Sequence, residues 1–149
     1  MPLSWEQSSI CRPVRRCISL RSIRNTPSIT SLTTPAGAGA RRWVAGRRDK
    51  PESILFVFDA PVDIAQCAFE AEEREVARTQ VVCAEYLAEN AGTYRPCFIQ
   101  EFNFSPGGAT YQRESIAVNL HAVSRFRLTV KADKGGQGTP SLTTLRLYG

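Results

Sequence analysis

The amino-acid sequence predicts an all-β protein, and stretches in its second half carry most of that prediction. Apolar and polar residues largely alternate over residues 98–104, a turn cluster (Ser-Pro-Gly-Gly) follows at 105–108, and alternation resumes over 115–120. A period of two residues is typical of strands that bury one face. Residues 126–130 alternate in the same way and would place Phe126, Leu128 and Val130 inward. Together these patterns predict an antiparallel β-sandwich.

Two strands are expected before this region. The apolar run 53–58 is typical of a strand inside a sandwich, and the Asp-Ala-Pro sequence at 59–61 is typical of the turn that ends it. Residues 62–69 then resume the alternation. That alternation places Val62, Ile64, Gln66 and Ala68 on one face, and Cys67 and Phe69 on the other.

Residues 70–90 are the stretch where helix and strand compete. They are rich in Ala, Glu and Arg, which favour helix. Residues 79–87 also suit a strand, and the Asn-Ala-Gly-Thr sequence at 90–93 is typical of a hairpin turn. Because long-range strand pairing often overrides local propensity, we expect a strand over 79–87 with a loop before it. Further strands are predicted over 111–120, 124–131 and 141–148, with a flexible loop at 133–138.

Charge is distributed unevenly along the chain. Residues 1–50 hold 10 Lys and Arg against 2 Asp and Glu, whereas residues 51–149 hold 9 against 12, which together give the net charge of +5. A basic segment suits phosphates, acidic lipid or an acidic partner. The alternative is a solvated or processed tail. An N-terminus that is rich in Arg and Ser and poor in acidic residues also suits an organelle transit peptide.

Cysteine usage indicates a reducing compartment. The five cysteines (Cys11, Cys17, Cys67, Cys83 and Cys97) are odd in number and contain no C-x-x-C pair, which fits neither a disulfide framework nor a zinc site. We therefore expect free thiols, a cytoplasmic location and no metal. No apolar run approaches the length that a membrane span needs.

The sequence contains no arrangement that predicts catalysis. Its single histidine, His121, has no identifiable nucleophile or acidic partner in the sequence. The crowded carboxylates between residues 70 and 75 are typical of a solvated surface rather than a general acid and base pair. We expect a protein that is not an enzyme and needs no cofactor.

Residues 41–48 (Arg-Arg-Trp-Val-Ala-Gly-Arg-Arg) are the stretch most suggestive of ligand binding. Arginine forms forked bonds to carboxylate or phosphate, and tryptophan stacks on sugars and bases. The alternative is a Trp43 ring buried in the core with its arginines in solvent. Candidate ligand-binding residues with suitable chemistry are Arg42, Trp43, Arg47, Arg48, Tyr94, Asn103 and Lys134.

The end of the chain resembles the discoidin (coagulation-factor type C) family of the galactose-binding-like superfamily. The resemblance lies in the Phe-Arg-Leu-Thr-Val sequence at 126–130, a loop, and a last strand ending in Leu-Tyr-Gly at 147–149. Trp43, the strand at 54–58 with its turn, and the segment 90–94 also resemble that family. The resemblance covers about residues 15–149 and leaves 1–14 as a basic, flexible tail. It implies an eight-stranded jelly roll that binds carbohydrate or a similar polar ligand through loops at one end.

Two departures from that family affect the functional expectation. Extracellular members carry a cysteine near each end of the domain, whereas here Cys11 and Cys17 have no C-terminal counterpart. The Asp-rich calcium loop of sugar-binding members also has no counterpart between Ile29 and Trp43. The alternative function is therefore an intracellular domain that binds protein or nucleic acid, using the Arg-rich N-terminal third.

Overall fold

The computed structural model describes the backbone of residues 16–20 and 30–31, and the full residues 43–46, 48, 50–135 and 138–149. Every regular element in these ranges is a strand, so the predicted all-β class is confirmed. The strands are β1 (Arg16–Leu20), β2 (Thr30–Ser31), β3 (Trp43–Val44), β4 (Glu52–Glu72), β5 (Arg78–Ala88), β6 (Arg95–Phe104), β7 (Tyr111–Val130), β8 (Ser141–Leu142) and β9 (Thr144–Tyr148). None of the described residues belongs to a helix long and apolar enough to cross a membrane.

Seven of these strands form one large sheet, in the order β2-β9-β4-β7-β5-β6 with β1 also paired to β4. The β1–β4 pair is parallel, which departs from the wholly antiparallel prediction, and the other pairs of this sheet are antiparallel. Strands β3 and β8 form a separate two-stranded sheet.

The large sheet folds over on itself because its two longest strands, β4 and β7, are flanked differently along their lengths. Strand β9 pairs with the C-terminal end of β4. Strand β5 pairs with the C-terminal end of β7, which lies beside the N-terminal end of β4. The two halves then meet through aromatic side chains. The Phe69 ring of β4 stacks on Phe98 of β6 and lies tilted against Phe102, with both ring centroids 5.5 Å away. The result is a sandwich-like fold with a shared apolar core.

The predicted turn at 59–61 is wrong, because β4 continues through it. Val57 pairs with Arg125 and Val62 with Val123, so four residues of β4 lie opposite one residue of β7. An irregularity of this kind bends a strand without ending it. Residues 59–61, whose sequence favours a turn, therefore form a bulge within β4 because β4 pairs with β7 on both sides of them.

The predicted facing of residues 62–69 is also wrong in part. Ile64, Cys67 and Phe69 are all buried, whereas a strict alternation places Ile64 opposite the other two. The register shift between Ile64 and Gln66 exchanges the two faces of the strand. The alternation of the sequence holds on each side of the shift but not across it.

Strand β7 joins the two strands predicted at 111–120 and 124–131. Its middle contains two residues with positive φ, Asn119 at 47° and Ala122 at 49°. The Ala122 N–H donates to Asp63 Oδ1 at 2.9 Å, and His121 Nδ1 lies 3.4 Å from Asp63 Oδ2. Asp63 on β4 thus binds the distorted segment of β7. The hydrogen bond from Ala122, followed by the contact with His121, holds the pKa of Asp63 below its usual value.

The strand predicted over 79–87 is confirmed as β5, and the preceding loop spans 73–77. The predicted hairpin turn is confirmed between β5 and β6, where Asn90 adopts a left-handed φ of 61°. Phe126, Leu128 and Val130 are fully buried, as predicted.

The strand predicted over 141–148 is divided at Thr143 into β8 and β9. The predicted tail at 1–14, with its targeting interpretation, lies outside the described residues.

Candidate interaction face

The side of β5, β6 and the C-terminal part of β7 that points away from the core is called the outer face here. Its residues are paired across the strands and alternate with the buried residues of the core. They are Thr79, Cys83 and Glu85 on β5, Ile99, Glu101 and Asn103 on β6, Arg125 and Arg127 on β7, and Lys131 directly after β7, whereas Val81 and Thr129 have the same orientation but are buried.

One polar cluster of the outer face is built around Arg127. Its Nε and Nη2 atoms donate to Glu85 Oε2 at 2.9 and 2.7 Å, because Glu85 and Arg127 are register partners on adjacent strands. The guanidinium also lies 4.2 Å from the centroid of the Tyr94 ring, which reaches back from the β5–β6 loop. Cation–π stacking of this kind orients both groups. One face of the predicted ligand-binding residue Tyr94 is therefore occupied by Arg127.

A second polar cluster lies on the same face and contains two more of the predicted residues. Lys134 Nζ donates to Glu101 Oε2 at 2.7 Å, and Thr79 Oγ1 donates to Asn103 Oδ1 at 2.7 Å. The hydrogen bond and charge of Lys134 hold the pKa of Glu101 below its usual value. The structure therefore brings Asn103 and Lys134 together through Glu101, a residue that the sequence did not single out.

Ile99 lies between these two clusters and is 72% exposed. Its register partner on β5 is Cys83, and Cys83 is paired in turn with Thr129 on β7. Sequence reasoning missed Ile99, although a signal was present. The inward-facing positions of β6 are those of Phe98, Phe102 and Phe104. Ile99 is an apolar residue at a position of the opposite face.

The other predicted ligand-binding residues either lie away from the strands of the outer face or fall outside the described residues. Trp43 is only 8% exposed and belongs to the core, where it pairs with Leu142, so the buried alternative holds for this ring. Arg48 is exposed and lies between β3 and β4, outside the strands of the outer face. Arg42 and Arg47 lie outside the described residues. The predicted set thus does not converge on one site within the described part of the chain.

A buried polar cluster centred on Arg78 was also missed by the sequence. The side chain of Arg78 is wholly buried and donates to Glu73 Oε2 at 3.0 Å, Gln80 Oε1 at 2.8 Å and Ser141 Oγ at 3.4 Å. Gln80 is itself buried and exchanges hydrogen bonds with the Ser141 backbone at 2.8 and 2.9 Å. Partial burial opposes ionisation of Glu73, but the bonds from the Glu75 N–H and Arg78 outweigh it and lower its pKa. Because these three bonds of Arg78 all end on acceptors of the fold, this cluster ties β5 to β8.

The thiols of Cys67 and Cys97 are poorly suited to nucleophilic chemistry. Neither forms a disulfide. Burial raises the pKa of the Cys67 thiol far above its ordinary value, and burial raises that of Cys97 to about 11. A thiol with a raised pKa holds little thiolate at neutral pH. In the described ranges, no three His, Cys, Asp or Glu residues are grouped as metal ligands would be.

Comparison with known proteins adds no family to this description. No protein-family model matches the chain, and no curated protein sequence matches it. The geometry of the outer face is therefore the basis for inferring a function.

Proposed function

We propose that this protein is a non-catalytic binding module, built on a jelly roll of the galactose-binding-like kind, and that its ligand is another protein. The observation that carries the proposal is the 72% exposed Ile99 in the middle of an ordered polar face. An apolar centre surrounded by a polar rim is the arrangement found in protein contact surfaces.

The geometry of the predicted sugar-binding residues favours a protein over a free sugar. A sugar site needs an available aromatic face and polar groups that converge on one ligand. Trp43 is buried, and Arg127 covers one face of Tyr94. Asn103 and Lys134 are bonded to Thr79 and Glu101, respectively. A carbohydrate would have to displace these bonds, whereas a protein surface can lie over them.

The test compares proteins captured from cell extract by the wild-type protein, by Ile99→Asp and by Val44→Asp. Val44 is the matched control, since it is the other exposed large apolar residue in the described ranges, at 46%, and lies on β3. We expect at least one protein to be retained by the wild type and by Val44→Asp but lost with Ile99→Asp. Circular dichroism should show all three folded.

Two results would contradict the proposal. The first is an identical set of captured proteins for all three variants. The second is selective binding to a glycan array that disappears in Tyr94→Ala and persists in Ile99→Asp. That second result would move the function to carbohydrate binding.

A further inference from the structure

We propose that the outer face binds an acidic, extended segment of its partner, with one apolar side chain on Ile99 and carboxylates on Arg125 and Lys131. This inference rests on the proposed function and specifies the chemistry of the partner. It follows from the distribution of charges, the spacing of the strands and the state of the β6 edge.

The charges on the outer face leave two cations available. Arg127 is neutralised by Glu85, and Lys134 by Glu101. Arg125 and Lys131 are exposed and have no ion-pair partner among the described residues. A partner that brings carboxylates to both positions would complete the pairing, and electrostatic complementarity of this kind sets specificity and association rate.

The spacing of these groups suits one short segment. Ile99, Cys83 and Thr129 are aligned across three strands, and Lys131 and Arg125 lie two and four residues from Thr129 in opposite directions. With strands about 4.8 Å apart and about 3.3 Å per residue, Lys131 lies roughly 12 Å from Ile99 and Arg125 roughly 16 Å. A path from Arg125 over Ile99 to Lys131 is therefore roughly 28 Å long, which an extended segment of about nine residues spans.

The same face is less suited to nucleic acid. Glu85 and Glu101 lie among its cations, and a phosphate backbone would meet both carboxylates. Ile99 would also face a charged polymer. An acidic protein segment avoids the second problem, because it can place an apolar side chain on Ile99 while its carboxylates reach the outer cations.

The edge of β6 favours docking across the face over addition of a further strand. Gln112 Nε2 donates to the Asn103 carbonyl, and Gln100 Nε2 donates to the Glu101 carbonyl. Pro96, near the start of β6, has no N–H to offer. Side-chain capping and proline are devices that protect edge strands from pairing with another chain.

The test measures binding of the full-length protein to labelled ten-residue peptides by fluorescence anisotropy at two salt concentrations. The first peptide alternates Glu with Leu, the second replaces each Glu by Lys, and a single-stranded oligonucleotide serves as a third probe. The variants are Ile99→Asp and the double variant Arg125→Glu with Lys131→Glu. The matched controls are Val44→Asp and Arg48→Glu, since Arg48 is an exposed cation that belongs to none of the three strands of the outer face.

We expect the acidic peptide to bind, more weakly at high salt, and each outer-face variant to raise Kd by about tenfold, the effect of losing a central contact. The controls should leave Kd unchanged. Equal binding of the basic peptide, unchanged Kd in the outer-face variants, or stronger binding of the oligonucleotide would overturn the inference. If no acidic peptide binds while Ile99-dependent capture of a protein persists, the partner chemistry is wrong and the proposed function stands. If both are absent, the proposed function fails as well.

Discussion

Replacing Arg78 by Ala should destabilise the protein more than any surface substitution, because the guanidinium is buried with three side-chain acceptors. The side chain is 0% exposed, and its bonds to Glu73, Gln80 and Ser141 join residues up to 63 positions apart in the chain. Removing one partner of a buried ion pair costs about 3–5 kcal/mol. That amount is a large fraction of the roughly 5–15 kcal/mol by which proteins are stable.

The surroundings of Arg78 allow this cost to be separated into parts. A Cβ added at Gly138 would lie 2.1 Å from Arg78 Cδ, so Gly138→Ala should overpack the cluster and cost about 1–3 kcal/mol. In Arg78→Ala the Cδ atom is absent and the same substitution should cost almost nothing. The two single variants and the double variant therefore form a double-mutant cycle with a coupling energy of at least about 1 kcal/mol.

Urea unfolding followed by tryptophan fluorescence measures these energies, since Trp43 is buried in the core. Glu73→Gln is the matched control, because it removes the charge of this partner but retains an acceptor for Arg78, and it should cost about 1.5–3 kcal/mol, less than Arg78→Ala. The reasoning is refuted if Arg78→Ala costs less than about 1 kcal/mol. It is equally refuted if Gly138→Ala costs the same in both backgrounds.

Three further predictions follow from the core and from β7. Phe69→Ala should cost about 3–5 kcal/mol in urea unfolding, because its ring joins the two halves of the sandwich, and a cost below 1 kcal/mol would contradict that role. Ala122→Gly should raise the free energy of unfolding by about 0.5–1 kcal/mol, because glycine relieves the left-handed φ of 49°. Ala117→Gly in the same strand should lower it. A change of the same sign in both variants would contradict this prediction. The alkylation rate of Cys97 should keep rising up to about pH 11, the pKa to which burial raises this thiol, and a plateau near pH 9 would show an ordinary one.

The sequence by itself determined the all-β class and most of the strands. Period-two alternation places Phe126, Leu128 and Val130 in the core, and the turn residues at 90–93 produce the predicted hairpin. The choice of strand over helix at 79–87 was also correct. The alternation and the hairpin turn were predictable because they depend on neighbours within a few residues along the chain, whereas the strand at 79–87 required ranking long-range pairing above local helix propensity.

The sequence could not specify how the strands combine. Only pairing with β7 decides that β4 passes through 59–61 and exchanges its faces between Ile64 and Gln66, because a bulge depends on the register of the partner strand. The parallel β1–β4 pair likewise joins distant segments.

The candidate interaction face was likewise predictable from the sequence only in part. Tyr94, Asn103 and Lys134 were recognisable as polar or aromatic residues near strand ends, and the sequence alone supported no more than that. Tertiary structure decided that Arg127 covers Tyr94 and that Glu101 holds Lys134. It also buried Trp43 and left Ile99 exposed. The physical reason is that exposure and hydrogen bonding depend on which side chains lie across the sheet, and the partners of Asn103 and Lys134 are 24 and 33 residues away in the chain.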